Sequence, residues 1–512
     1  MNKSIHDVGS DVLGLFEARV ASGPGVVAVE CGGERWTYGE LDGWANGLAH
    51  RLRSVGVGPE VVVGVCLGRG VGAVAGLLAV AKAGGVYLPL DSALPVERLA
   101  YMLDVAGAGV VLTTGDLLSE LPVSGVRTVL VAEEVERAEG AEGVGGLAGF
   151  PDTPPVGPRR RDTLMYVVFT SGSTGTPKGI GVTWRTIRNV VRFDLHRDRY
   201  LGEASVVCLQ LASVGFDVSF LEIFATLVRG GRLVLVGEAA QRDTEQLLEL
   251  LARERVERVY LSPAHLAQLA VSWTENPRDL ALGHIFVSGE ALVLTSRIRA
   301  MLAGLDGVVL ENQYGPSETH HATSLFLTGD PRDWPAAPGI GRPVPGTSLY
   351  LLDRHLGLTP PGVPGEIYLT GEGLARGYLN QPALTAERFV ADPHSTTPGT
   401  RMYRTGDLAR WSPRGTLQYL GRTDTQIKIR GFRVEPDEIA TTLTHHPAVT
   451  QAAVTLHPAA SASPQLIAYI VPTTPPTPDN PLDPQPLRDH LAAHLPAYMI
   501  PTAYIPLPTL PL

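Results

Sequence analysis

A layered α/β fold with a mostly parallel sheet is predicted for this chain by three observations. Short apolar runs of strand character alternate with amphipathic helix-like stretches over most of residues 61–310. Hydrophobic residues are 44% and charged residues 18% of 512, enough apolar side chain to bury a large core. The pattern then changes to short strands with turn residues from 340 to 420, and to a small α+β unit after Asp424. Two domains are therefore expected, a large one at 1–423 with a β-rich subdomain and a small one at 424–512.

Residues 11–53 read as mostly helical around a short strand pair, in which Val26–Cys31 turns at Gly32-Gly33 and returns through Trp36-Thr37-Tyr38. Thr37 lies three residues before Glu40, the spacing of a capping box, so a helix carrying Leu41, Trp44 and Leu48 should start there. Strands are expected at 61–67, 86–90 and 110–113, with helices at 71–82 and 98–106 between them. Residues 131–162, with Glu133, Glu134, Glu136, Glu139 and Glu142 followed by glycines, prolines and Arg159–Arg161, read as a solvated, poorly ordered connection. Strands at 206–209, 233–236, 259–261, 285–287 and 308–310 resume the alternation, with a helix at 244–253. Later strands are expected at 349–352, 366–370 and 417–419, and helices near 436–444 and 485–494. Seven prolines in 472–486 predict an extended surface loop.

Composition excludes several classes of function. A net charge of −10 argues against a nucleic-acid partner, because a phosphate backbone wants a basic face. Three cysteines, Cys31, Cys66 and Cys208, lie far apart with no Cys-x-x-Cys pair, which fits a reducing compartment and no structural zinc. The pairs His320-His321 and His445-His446 lack a third ligand at metal spacing. Met1–Ser10 has no apolar core of the signal-peptide kind, and no run reaches about 18 apolar residues, so a cytoplasmic protein outside the membrane is expected.

One stretch stands out chemically. Phe169-Thr170-Ser171-Gly172-Ser173-Thr174-Gly175-Thr176-Pro177-Lys178-Gly179 follows the apolar run 164–169 and precedes a helix expected around 184–191. Glycines let backbone N–H groups approach an anion, hydroxyls add donors and Lys178 adds a positive charge, a combination suited to a polyphosphate. It is not a Walker A loop, because Lys178 follows Pro177 and precedes Gly179 instead of Ser or Thr. By itself the cluster is equally compatible with a flexible, solvated loop.

Further motifs follow in a fixed order: Trp36–Leu41, Lys82–Asp91, the loop at 169–179, Phe216–Ser219, Asn312–Glu318, Gly365–Ile367 with Gly371–Leu379, Tyr403–Leu408, Gly421–Gly431 and Leu495–Pro501. With these nine stretches the chain resembles the adenylation domains of nonribosomal peptide synthetases, in the superfamily of acyl-CoA synthetases and luciferases. The resemblance implies ATP-dependent activation of an amino acid as aminoacyl-AMP, with release of pyrophosphate. The acyl group would then load onto the phosphopantetheine thiol of a peptidyl carrier protein. It also implies Mg2+ as cofactor, a mobile small domain, and condensation or cyclization domains and an MbtH-like protein as further partners.

By the same resemblance, Thr170, Ser171, Gly172, Ser173, Thr174 and Gly175 cradle ATP phosphates, with Lys178 a catalytic cation. Asn312, Gln313, Tyr314, Gly315 and Ser317 belong to the nucleotide pocket, Tyr314 stacking on adenine. Glu318 holds Mg2+. Asp407 accepts the ribose hydroxyls, Tyr419 and Arg422 complete the pocket, Asp424 is the hinge, and Lys428 faces the site when the small domain turns. Each has an ordinary alternative: a core tyrosine, a helix-start glutamate, an Asp-capped turn, a solvated arginine. Asp217 would pair with the substrate ammonium, which acyl-CoA synthetases have no need to do. Its alternative is an N-cap for the helix through Phe220–Leu227, a task Ser219 could take instead.

The side-chain pocket implied by the resemblance comprises Asp217, Val218, Leu221, Tyr260, Phe286, Ser288, Gly289, Gln313, His321 and Ala322. Asp217 is the one acid in it, which argues against charged substrates. The polar groups at Tyr260, Ser288, Gln313 and His321 argue against plain aliphatic ones. Asp217, Val218, Phe286 and Ser288 resemble serine-activating pockets, while Leu221 and Ala322 depart from them, so a small neutral polar, serine-like amino acid is expected. The alternative is an acyl- or aryl-CoA ligase of the same superfamily, and a catalytically silent scaffold is a third reading. Finally, the family's Leu-Pro-x-Tyr-Met-Ile-Pro stretch is followed by a glycine–lysine loop that supplies a catalytic lysine. This sequence stops at Leu512 before that loop, so impaired adenylation in a chain trimmed there is expected.

Overall fold

Two largely parallel sheets and one antiparallel sheet make up residues 11–422 in the computed structural model, which describes residues 11–131, 150–157, 160–172, 175–196, 206–237, 240–241, 243–429, 431–457, 465–475 and 482–511. The first sheet has seven strands, with Val62–Cys66, Val86–Pro89, Val110–Thr113, Thr128–Val131 and Leu164–Thr170 parallel. The second has nine, with Val27–Cys31, Val207–Gln210, Arg232–Leu235, Arg258–Leu261, His284–Val287 and Val309–Tyr314 running parallel. The third, five-stranded and antiparallel, is built from residues 347–422. Beyond it lie the hairpin Ile427–Ile429/Phe432–Val434 and a three-stranded sheet flanked by helices Pro436–Thr444 and Gln485–His494. Ile427, Ile429 and Phe432 pack against this last unit's own core, which includes Val434, Ile439 and Leu443.

Helices with apolar residues all round are wedged between layers. Helix Asp217–Arg229 buries every residue from Ser219 to Arg229. Its Phe220 stacks on Tyr166 of the seven-stranded sheet at 3.7 Å and meets Tyr87 edge-on at 5.9 Å. Helix Val71–Ala83 is buried along its whole length apart from Gly72, and its Lys82 is neutralised by Asp42 at 2.9 Å and Glu17 at 3.1 Å. At the chain's start, Thr37 accepts from the Glu40 N–H and Glu40 from the Thr37 N–H, the reciprocal pair its spacing predicts. Gly32 and Gly33, at φ +58° and +95°, form the turn that precedes it.

Four differences from the sequence reading matter. The loop after Phe169 leads first into an antiparallel strand, Lys178–Thr183, and only then into helix Trp184–Leu195, so it is the turn of a hairpin. Glycine-rich Lys178-Gly179-Ile180-Gly181 hid that strand from a propensity argument. Asp217 is the first helical residue and Phe216 the cap position, so neither Asp217 nor Ser219 caps the helix. Ser219 instead donates to the Phe216 carbonyl at 2.7 Å. Within the acidic connection, residues 132–149 and 158–159 lie outside the described residues, but 150–157 is tied down. The carbonyls of Asp152, Thr153 and Val156 contact Asn46, His50 and Arg53. The expected loop at 472–486 starts as the end of strand Gln465–Pro472, and its 476–481 is outside the described residues.

Candidate functional site

One large cavity opens where the second sheet's strand ends, the hairpin loop, the antiparallel sheet and the small unit meet. Thr170, Asp217, Tyr260, Ser288, Asp407 and Lys428 all contribute to its wall. Asp217 reaches it because the turn Ser213–Phe216 ends the strand Val207–Gln210 and throws the helix start toward the cavity. A buried Glu222 further along the helix holds the chain just before that turn, accepting from Leu211 N and Ala212 N at 3.3 Å and from Gln210 Nε2 at 3.0 Å. Burial pushes the Glu222 carboxyl up to about 7 despite these donors.

Asp407 is held by three side-chain donors. Tyr314 donates to its Oδ2 at 2.7 Å, Tyr419 to Oδ1 at 3.3 Å and Arg422 to Oδ1 at 2.6 Å. The other face of Arg422 grips Asp424 at 2.7 and 2.9 Å, so the expected ribose acid, its two pocket partners and the expected hinge form one network. The Tyr314 ring packs in an apolar cluster with Ile340, Leu351 and Leu417 and does not line the main cavity. Burial first, and then the Asp407 charge, raise its hydroxyl well above the ordinary tyrosine range. Gly315 and Ser317 do line the cavity, whereas Asn312 is buried and donates to the Gly339 carbonyl at 2.8 Å.

Glu318 is fully buried, sealed by Tyr378 at 2.7 Å and by Arg433 at 3.0 and 3.2 Å. Burial alone would raise its carboxyl, but Arg433, Lys178 and the Tyr378 hydroxyl together hold it down at about 2. Burial pushes Lys178 down to about 8; its Nζ lies 3.8 Å from Glu435 and 5.7 Å over the Tyr378 ring. In the loop, Thr170 lines the cavity, Ser171 donates to the Arg433 carbonyl and the Gly172 N–H to Glu438, while Ser173 and Thr174 lie outside the described residues. Gly175, at φ +84°, abuts Thr441 of the small unit.

The expected specificity set divides by depth. Val218, Tyr260, Ser288 and Gly289 line the cavity with Asp217; Phe286 stacks on Tyr260 at 4.0 Å; Leu221 and Ala322 are buried. Gln313 and His321 sit behind this layer around a fully buried Glu311, which accepts from Gln313 at 3.1 Å and Ser324 at 2.5 Å. His284 Nε2 lies 3.3 Å from the other Glu311 oxygen. Glu311 immediately precedes the Asn312–Glu318 stretch without belonging to it, and His284 opens the apolar strand His284–Val287 with no motif around it, so neither stands out as a site residue in the sequence. His320, at φ +55° and buried beside Asp217, was also missed.

The small unit presents its hairpin to the cavity, so Lys428 and Gly431 face inward. Gly431 N donates to Glu290 at 2.7 Å, and a Cβ on Gly289 would lie 3.3 Å from the Gly431 Cα, so both glycines permit the close approach. Phe432 meets Phe216 edge-on at 5.0 Å and stacks on Tyr498 at 4.0 Å. Arg433, Glu435 and Glu438, which the sequence reading passed over, follow directly on the Gly421–Gly431 motif. That position was the available signal.

Two parallel sheets, a β-rich sheet and a small unit closing over a glycine–hydroxyl loop and a buried acid define an α/β enzyme of the AMP-binding class. The AMP-binding enzyme family model matches residues 16–379 and the AMP-binding enzyme C-terminal domain model residues 438–512, and the chain belongs to this family. It is 36% identical to tyrocidine synthase 2 of Brevibacillus parabrevis over 97% of its own length and 13% of that protein's. It is 40% identical to the probable non-canonical nonribosomal peptide synthetase CymA of Salinispora arenicola, over 97% of this chain and 6% of that one. The chain thus spans a small fraction of these relatives. The solved structure of the amide bond synthetase McbA from Marinactinospora thermotolerans is similar to it with a TM-score of 0.81 at 26% identity, covering 97% of this chain and 96% of that one. Among the described residues, no helix is long and apolar enough to cross a membrane.

Proposed function

We propose that the chain is an adenylating ligase of nonribosomal peptide synthesis, activating an amino acid with ATP and passing it to a carrier protein's phosphopantetheine thiol. The observation that carries this reading is that Asp217, Thr170 at the loop and Asp407 line one cavity. Partners for an ammonium, a polyphosphate and a ribose therefore converge on one place. The names of the peptide synthetase relatives support the same reading.

In the first step a carboxylate oxygen of the amino acid attacks the α-phosphorus of ATP, and the bond to the β-phosphate oxygen breaks to release pyrophosphate. In the second, the sulfur of the carrier thiol attacks the acyl carbon and AMP leaves. The chain's part is positioning and charge neutralisation. Asp217 anchors the ammonium, Lys178 and the loop N–H groups meet phosphate oxygens, and Asp407, already aligned by Tyr314, Tyr419 and Arg422, accepts from the ribose. Asn312, Gln313, Gly315 and Ser317 shape the nucleotide end, and Lys428 serves the second arrangement of the small unit. Glu318 suits Mg2+, because its carboxyl stays ionised in a buried place where a cation already contacts it, and Mg2+ needs only one or two carboxylates besides phosphate oxygens. The ion, when bound, would neutralise developing charge on the phosphates.

Domain boundaries at 1–423 and 424–512 belong to this proposal. They are supported by the last strand of the antiparallel sheet ending at Arg422 and by Ile427 packing with the small unit. Asp424, held by Arg422, is the hinge. The substrate is a small neutral polar amino acid, serine or a serine-like analogue. Tyr260 and Ser288 on the cavity wall, with the Tyr260–Phe286 stack closing its side, support a short polar side chain. ATP–pyrophosphate exchange across the amino acids tests all of this. Exchange with a small polar amino acid is expected; preference for leucine, phenylalanine or a charged amino acid refutes the substrate, and no exchange with any of them refutes the reaction.

A further inference from the structure

The floor of the cavity carries an acid that the proposed reaction does not use. Three parallel strands supply this floor, and side chains alternate across each strand. In Arg258–Leu261, His284–Val287 and Val309–Tyr314, the residues Tyr260, Phe286 and Gln313 share a face with Arg258, His284 and Glu311 one step deeper. Ser262, Ser288 and Gly315, one step further out, line the cavity. A ring stack joins the layers, Tyr260 on Phe286 and Phe286 on His284, both at 4.0 Å. Glu311 is 0% and His284 1% exposed, whereas Gln313 keeps 6%.

Donors hold Glu311 as an anion. Gln313 Nε2 and the Ser324 hydroxyl meet its Oε1 at 3.1 and 2.5 Å, and His284 Nε2 lies 3.3 Å from its Oε2. Such contacts favour the charged form of a buried carboxyl. An ionised carboxylate only accepts hydrogen bonds. Gln313 therefore turns its NH2 to Glu311, which swings its carbonyl oxygen away from the acid. Ser324 has one hydroxyl proton and spends it on Glu311, so its oxygen accepts from His321 Nε2 at 2.8 Å. The Thr323 carbonyl, 3.1 Å from the same nitrogen, also requires a proton there. One carboxylate thus decides which way round an amide and an imidazole stand, while itself lying out of a substrate's reach.

Resting on the reading of this cavity as an amino acid site bordered by Gln313, we propose that Glu311 is a positioning residue that makes the Gln313 carbonyl oxygen the group offered to the substrate side chain. The side chain selected is then one that donates a hydrogen bond, a hydroxyl above all. An ether or a hydrogen in its place leaves a desolvated amide oxygen unpaired, which is the contrast that discriminates most strongly between near-isosteres. Glu311 touches no substrate atom. It acts through Gln313, with Ser324 and His321 bracing it from the other side.

The test is ATP–pyrophosphate exchange by the full chain with L-serine, O-methyl-L-serine and L-alanine, together with nitrogen NMR of protein labelled in its histidine rings. The unaltered protein is expected to favour serine over each of the other two by at least about 100-fold in kcat/KM. Glu311→Gln keeps the size of the side chain but brings a donor of its own, so Gln313 is free to turn either way round. The preference for serine over O-methylserine is then expected to fall at least about tenfold, with ATP affinity by calorimetry within about twofold. Gln313→Met should remove the preference, and Glu311→Gln added to it should remove nothing further, because the acid acts through the amide. The His321 ring signal, assigned by its loss in His321→Asn, is expected to show a proton on Nε2 in the unaltered protein. An undiminished serine preference in folded Glu311→Gln, a preference of the unaltered protein for alanine or O-methylserine, or a bare Nε2 on His321 overturns the proposal. No exchange with any amino acid overturns the adenylating reading instead, and the His321 signal, which needs neither substrate nor a folded Glu311 variant, still decides whether Glu311 sets the network.

Discussion

Tyr314 and Asp407, 93 residues apart in sequence, share a hydrogen bond of 2.7 Å that ties the end of a parallel strand to the middle of the antiparallel sheet. Neither residue alone marks a site. Together with Tyr419 and Arg422 they fix the Asp407 carboxylate between the two sheets, where an acceptor for paired hydroxyls has to be rigid to be selective.

Removing that tie tests its weight. Tyr314→Phe deletes one hydrogen bond to an ionised acid and keeps the packed ring. A loss of about 1.5–3 kcal/mol in urea unfolding is expected. A loss within about 0.5 kcal/mol would mean that Tyr419 and Arg422 hold Asp407 without it.

Asp217→Ala is expected to separate the two substrates. Deleting one partner of a desolvated charge pair costs on the order of 3–5 kcal/mol, so exchange with the best amino acid should fall at least about 100-fold. ATP affinity measured by calorimetry should stay within about twofold. Exchange close to that of the unaltered protein would show that the ammonium is held elsewhere.

Gly172→Ala probes the loop. An added Cβ there would overlap the Thr176 carbonyl oxygen, a backbone atom that cannot swing away. Rebuilding the turn costs about 1–3 kcal/mol, which should appear as about 5- to 150-fold weaker ATP binding. Unaltered ATP affinity would show that the loop does not touch the nucleotide.

Glu222 gives a pH dependence of known sign. Its carboxyl sits at about 7 in the folded chain against an ordinary 4.5, so the folded state binds the extra proton between these values. Its contribution to stability is full below about pH 4.5 and is lost as the pH rises through about 7. Glu222→Gln mimics the protonated form. Urea unfolding of the variant and the unaltered protein should agree at about pH 4 and diverge in the variant's favour at about pH 8. A constant difference between the two pH values would show that the carboxyl is not raised.

Much of the fold was legible because local periodicity and burial agree. The apolar runs at 62–66, 86–89 and 110–113 are buried strands, and the Thr37/Glu40 spacing is a capping box, since each is set by residues within a few positions of one another. The nine motif stretches likewise pointed to the family by sequence alone. What only the tertiary structure decided is which distant groups meet. Strand Lys178–Thr183 exists because Leu164–Thr170 and Gly377–Tyr378 offer it edges to pair with, against its glycines' own preference. His284 and Ser324 reach Glu311 from the two neighbouring strands through strand register. Arg433 and Glu438 found Glu318 and Gly172 across more than 100 residues, because buried charges are tolerable only where the fold supplies their complements, and no local pattern records that pairing.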